Sequence, residues 1–141
     1  MSEYNKLVYI AGPFRAETLF EIEKNVMRAR EYAAAVWKAG AVGVCPHSNT
    51  GFSFQGLVPD DAWLKGDLEI LRRCDAIVMM PGWRESSGSR AEHELSKKLG
   101  IEILDCDVNK VAKIKPDEVE FMIKKFMIKK WIEDDEHSRP S

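Results

Sequence analysis

Cysteine is scarce and unpatterned in this chain. Cys45, Cys74 and Cys106 are odd in number and lack CxxC spacing, so neither a disulfide framework nor a zinc site is expected. Small thiols beside apolar runs are commonly buried and reduced. No apolar run approaches the roughly 20 residues of a membrane span, and the polar start MSEYNK has no signal-peptide core. A cytoplasmic protein with no membrane partner is therefore expected. Charge of one sign is also missing: 21 Lys and Arg face 23 Asp and Glu, a formal net charge of −2. That excludes a global pull toward nucleic acid. There is no GxGxxG fingerprint and no GxxxxGK[ST] loop, nor an elbow sequence for a Ser-His-Asp triad. His47 stands without another His or Cys at ligand spacing, so no metal and no cofactor are expected.

What is present is one domain's worth of alternating pattern. A chain of 141 residues buries roughly 70% of its unfolded surface, enough for a real core. Leu7–Ala11 is a short apolar run closed by Gly12-Pro13, which predicts a buried strand. Apolar residues at helical spacing predict a helix from about Glu17 to Ala39, stopped at Gly40. Ala41–Pro46 predicts a second strand, and His47–Val58 a long loop. A helix over about 60–73, a third strand at Asp75–Met80, a helix over 90–99 and a fourth strand at Ile101–Leu104 follow. Val111–Ile114 is a candidate fifth, edge strand. A last helix from Pro116 presents Val119, Met122, Ile123, Phe126, Met127 and Ile128 on its apolar side. The domain is placed at residues 1–132, with a charged, frayed tail over 133–141.

This alternation predicts an α/β fold: a single-domain three-layer sandwich with a four- or five-stranded, mostly parallel sheet of flavodoxin or Rossmann-like type. Sites in such sheets lie at the carboxyl ends of the strands. Three unusual loops leave those ends, at Gly12-Pro13-Phe14-Arg15, at Pro46-His47-Ser48-Asn49 and over 82–89, and they should converge.

Two acids sit where apolar residues are expected. Asp67 shares a helix face with Trp63, Leu64 and Leu71. A partly buried carboxylate has a raised pKa unless it is paired, which suits proton exchange; the plain alternative is an acid that caps a loop or holds a lysine. Glu92 lies on the face of Leu95 and Leu99. It also fits a capping box, with Ser89 as N-cap and Glu92 reaching back. Ser86-Ser87-Gly88-Ser89 leads into a helix N-terminus, where free amides and hydroxyls can hold a phosphate or simply cap the helix. Arg15 can add charge to the same anion or be solvated. Trp83, Phe52 and Phe54 are either core residues or stack on a planar ligand.

"VYIAGPFR", "DLEILRRCDAIVMMPGW" and "SSGSRAEHELSKKLGI" together resemble the nucleoside 2-deoxyribosyltransferase-like superfamily, over about Leu7 to Leu104. The likeness is strongest to a branch of small phage and prokaryotic proteins with a PGW–S-x-G–x-x-x–E–H layout. The resemblance implies cleavage or exchange of the N-glycosidic bond of a 2'-deoxynucleoside or its 5'-monophosphate. It implies Glu92 as the nucleophile, four residues after the glycine of the S-x-G turn, with Tyr9 steadying it. Asp67 and Asp75 match the acids of a D-L-x-x-L-x-x-x-D pattern, Asp67 as a catalytic group and Asp75 as a second acid. Ser86 matches a phosphate-binding serine and Arg15 an arginine of nucleotide-cleaving members. The catalytic candidates are thus Glu92, Asp67 and Tyr9. The substrate-binding candidates are Gly12, Phe14, Arg15, His47, Asp75, Gly82, Trp83, Ser86, Gly88 and Ser89. The expected partner is a small nucleoside or nucleotide, and a homo-oligomer, dimer or tetramer, is implied. His93 and Glu94 depart from the Leu-Gly that tends to follow the nucleophile in the characterised transferases. Transfer, hydrolysis and non-catalytic nucleotide binding all remain open at this point.

Overall fold

The computed structural model describes residues 4–47, 57–109 and 112–138. Strand β1 (Leu7–Ala11) leads to helix α1 (Leu19–Lys38), β2 (Val42–Val44), α2 (Asp60–Arg72), β3 (Ala76–Met79), a 3-10 turn (Trp83–Glu85), α3 (Ser87–Leu99), β4 (Glu102–Asp105) and α4 (Pro116–Ser138). The four strands form one parallel sheet in the order β2-β1-β3-β4. Four helices flank it, giving the expected α/β sandwich. Among the described residues there is no fifth strand: Ile114 makes a single backbone bond to Cys106, and Val111 lies outside the described residues. Most of the predicted loop over 47–58, with Phe52 and Phe54, lies outside them too.

Local chemistry sets the ends of the elements. Thr18 caps α1, its Oγ1 accepting from the Glu21 amide at 3.1 Å, as a short hydroxyl at an N-cap does. Gly100 ends α3 in the left-handed region, φ 71°, where a side chain would be strained. Helix α4 continues to Ser138, past the boundary drawn at residue 133. Lys6 pairs with Asp134 at 3.1 Å on that extension, and residues 133–138, placed in a frayed tail from composition, are helical.

Alternation along β1 and β3 divides the core in two. Val8, Ile10, Ala76, Val78 and Met80 face α1 and α4, meeting Ala29, Val36, Val119 and Ile123. Tyr9, Ala11, Ile77 and Met79 face the other way, toward Leu71, Cys74, Leu68 and Leu95 of the α2–α3 side. The chain runs outward from β1 to β2 on one flank and from β3 to β4 on the other. The sheet's switch point therefore lies between the adjacent strands β1 and β3, and the loops that leave them open the crevice where such sheets take ligands.

Candidate active site

The loops after β1 and β3 do converge. Gly12, Pro13, Phe14 and Arg15, Pro46 and His47, and the segment Glu85–Ser89 line one cavity of about 620 Å³, with Asp61, Trp63 and Leu64 of α2 as the opposite wall and Glu92 on its surface. A volume of that order suits a small organic ligand. Gly12 is required by packing, since a Cβ there would meet the Met80 side chain at 2.8 Å. Arg15, Ser86 and Gly88 lie on the wall, as the loop reading placed them.

Glu92 is 8% exposed, yet it is an acid. Its carboxylate oxygen Oε2 accepts a hydrogen bond from the Tyr9 hydroxyl. Tyr9 is fully buried in β1, directly behind Glu92. Burial pushes the Glu92 carboxyl up to about 8; the Tyr9 bond opposes this, and the charge of Asp67 adds to it. The Tyr9 hydroxyl is driven far above the usual tyrosine range by burial, then by the charges of Glu92 and Asp67. Burial likewise lifts the half-buried Asp67 to about 6. The charge of Asp67 is thus felt at both partners, although Asp67 is not part of the cavity wall. Carboxylates and a phenol shifted this far beside a cavity make a candidate site for proton transfer or nucleophilic attack.

The capping box is not formed. Ser86, not Ser89, is the N-cap of α3, its hydroxyl accepting from the Ser89 amide at 3.2 Å. The helix starts three residues earlier than predicted, and Glu92 is released from capping to meet Tyr9. Ser89 is buried in the first turn, and its Oγ has no hydrogen-bond partner among the described residues. Ser96, equally buried, is satisfied by its bond to the Glu92 carbonyl at 2.9 Å. Leu99, expected on the face of Glu92, is 45% exposed.

His47 Nε2 lies 3.2 Å from the Gly12 carbonyl and 3.0 Å from the Pro13 carbonyl. Two acceptors require Nε2 to carry the proton, so Nδ1 is an acceptor. Nδ1 is buried with no partner among the described residues. Burial lowers the imidazole pKa, which keeps the ring neutral. Phe14 sets its edge against this ring, with centroids 5.6 Å apart.

Three substrate-binding candidates fall elsewhere. Asp75 precedes β3, at the amino end of the sheet, and its Oδ2 accepts from the Leu7 amide at 2.8 Å. It ties β1 to β3 on the far side from the cavity. Trp83 is 6% exposed and belongs to the core of the α2–α3 face; its Nε1 donates to Asp105 at 3.0 Å. Gly82 does not reach the wall either. Its φ of 89° makes the left-handed turn, and its amide donates to Asp107 at 2.8 Å. Sequence reasoning in turn missed Asp61 and Glu85 as wall residues, and placed Trp63 and Leu64 in the core. No local signal distinguished them, because apolar residues at helical spacing read as a core face. Among the described residues no group of three or more His, Cys, Asp or Glu could hold a metal, and no helix is long and apolar enough to cross a membrane.

Residues 6–105 match the family described as a domain of unknown function, DUF4406. A search of curated proteins found no match. Among solved structures, the 2-deoxyribosyltransferase from the psychrotolerant bacterium Bacillus psychrosaccharolyticus is similar, with a TM-score of 0.53 and 22% identity over 70% of each chain. At that identity the likeness is one of fold. The chain belongs to the DUF4406 family.

Proposed function

We propose that this DUF4406 member cleaves or exchanges the N-glycosidic bond of a 2'-deoxynucleoside or its 5'-monophosphate, through a glycosyl ester on Glu92. The observation that carries the reading is a buried carboxyl on the cavity surface, held from behind by the Tyr9 hydroxyl. That is the arrangement a carboxylate nucleophile needs: desolvated, fixed in orientation and facing the substrate. The fold shared with a 2-deoxyribosyltransferase agrees with it.

In the proposed reaction the Glu92 carboxylate attacks C1' as the C1'–N bond breaks. The bonding pair leaves with the base, which takes up a proton supplied or relayed by Asp67. Water attacking C1' then breaks the C1'–O bond of the ester and gives its proton to the Asp67 carboxylate, directly or by relay, yielding a free sugar; the nitrogen of a second base, losing its proton the same way, yields transfer. Either step returns Glu92 as a carboxylate. Tyr9 donates to the carboxylate before attack and fixes which oxygen is presented. No step requires a metal or a cofactor.

A second reading has an observation of its own. The α3 N-terminus, with Ser86 to Ser89, and Arg15 lie on the same cavity wall. An anion is favoured at such an end, which supports a 5'-monophosphate, the substrate of the alternative reading as a deoxynucleoside 5'-monophosphate N-glycosidase. The test is base release, followed by chromatography, from deoxynucleosides and their 5'-monophosphates with and without added free base. Glu92→Ala runs alongside. Release that disappears in the variant supports the reading, and incorporation of the added base separates transfer from hydrolysis. Nucleotide binding without turnover in either protein would make this a binding domain and overturn the catalytic role of Glu92.

A further inference from the structure

Trp83 lies inside the fold rather than on a ligand, and its surroundings give it another task. Asp105, the last residue of β4, accepts from Trp83 Nε1 at 3.0 Å and from the Asp107 amide at 2.8 Å through the same oxygen, Oδ1. Its other oxygen pairs with Arg84 at 3.2 Å. Arg84 lies over the Trp83 ring, 4.4 Å from its centroid, and donates to the Asp107 carbonyl. Asp107 in turn holds the Gly82 amide. Gly82, Trp83 and Arg84, three consecutive residues at the start of the turn, are thereby gripped by Asp105 at the end of β4 and Asp107 just beyond it.

That turn feeds directly into α3. The Ser86 amide donates to the Trp83 carbonyl at 3.1 Å, and Ser86 is the N-cap. Arg90 reaches back to the Arg84 carbonyl at 2.7 Å. The Trp83 ring stacks on His93, with centroids 4.3 Å apart and planes 24° apart. His93 follows Glu92. Trp83 is thus fixed at its indole nitrogen by β4 and bears with its ring face on α3, beside the buried acid.

We propose that Asp105 is a positioning residue: by seating Trp83 it sets where α3 starts and how it is rotated, and so holds Glu92 against Tyr9. Its effect on turnover rests on the function proposed above, whereas its effect on Glu92 does not. The paired acids Asp105 and Asp107 serve as the receptor for the Pro-Gly-Trp turn. A displacement of about 1 Å at a reacting group can cost on the order of a hundredfold in rate, so a grip this close to the acid bears on chemistry as well as on folding.

The experiment follows the Glu92 carboxyl by carbon NMR of protein labelled at glutamate carboxyls, the resonance being assigned by its loss in Glu92→Gln. Asp105→Ala, Asp105→Asn and Trp83→Phe are compared with Lys6→Ala, which breaks an ion pair remote from the turn. Asp105→Ala and Trp83→Phe should lower the Glu92 titration midpoint by about one pH unit: a loosened helix lets water reach the carboxyl, and relief of burial, the largest cause of its raised value, outweighs the weakened Tyr9 bond that acts the other way. The kcat for base release should fall roughly tenfold with KM within about twofold. Asp105→Asn should restore part of both, because its amide oxygen still accepts from the indole. A midpoint and a kcat in Asp105→Ala equal to those of Lys6→Ala would overturn the proposal. If the wild type releases no base, the function proposed above fails, and the titration alone decides the positioning role. If Asp105→Ala does not fold, Trp83→Phe decides in the same way: a lowered midpoint supports the role and an unchanged one overturns it.

Discussion

Two buried tyrosines sit on opposite faces of the molecule. Tyr32, on α1, donates to the Ile114 carbonyl at 2.7 Å, and burial is the main cause lifting it to about 12. Tyr9, on β1, donates to the carboxylate of Glu92. Each buried hydroxyl has found an acceptor, as buried polar groups must. The difference lies in what the acceptor costs. A backbone carbonyl carries no net charge to desolvate. A carboxylate does, and desolvating one is unfavourable by several kcal/mol as an order of magnitude unless it becomes protonated or well bonded. The α1–α4 face is built for cohesion. The α2–α3 face has given up cohesion to keep Glu92 and Asp67 near Tyr9, and such local conflicts with the rules of packing occur at functional sites.

The sharpest way to test this contrast is Glu92→Ala. Base release should drop by on the order of a thousandfold or more, as for loss of a covalent nucleophile, while the protein still unfolds cooperatively. An active variant would leave Glu92 as a merely buried acid. Tyr9→Phe comes next: losing one preorganised donor costs roughly a hundredfold in kcat, read in the same assay. The Glu92 midpoint should also rise, because the bond that lowers it is gone.

On the opposite face, Ile123→Ala should lower unfolding stability by about 2–5 kcal/mol in urea denaturation without moving the pH dependence of base release. A fourth outcome concerns pH. Burial raises Glu92 and Asp67 in the folded state, so the native protein holds their protons more tightly than the unfolded chain does. Their contribution to stability is full below the unfolded values and is lost as pH rises through about 6 for Asp67 and about 8 for Glu92. Melting temperature should therefore fall from pH 5 to pH 9, and Glu92→Gln should flatten the upper part of that fall. Because attack needs ionised Glu92 and protonated Asp67, kcat/KM should be bell-shaped, with limbs that belong to the coupled pair. The smallest effect is Tyr32→Phe, about 1 kcal/mol of stability, with base release unchanged.

Much of the fold was legible in the sequence. Val8 and Ile10 against Tyr9 and Ala11 have period 2, and Val26, Ala29, Ala33 and Val36 have helical period; both patterns are local. The convergence of the loops on one cavity was legible too, because a parallel sheet places strand-end loops together. The details of the site were not. The spacing S-x-x-E fits Ser89 and Glu92, yet Ser86 stands three residues before Ser89 and competes for the cap. The contact that decides the matter, between Tyr9 and Glu92, joins residues 83 positions apart. Trp83 read equally well as a ligand platform or as core, and an acceptor at the end of β4 settled it. Asp75 followed a motif at helical and strand spacing, but it lies at the amino end of β3, a full strand length from the crevice.

The sequence by itself determined the order of strands and helices, their approximate ends and the side of the sheet on which a site can form, since these follow from periodicity, glycine and connection rules acting over short distances. Only the tertiary structure decided which acid is buried, which hydroxyl it meets and which aromatic serves the frame rather than the cavity. Those outcomes depend on desolvation and on hydrogen-bond partners brought from other elements, and no local pattern in the chain carries that information.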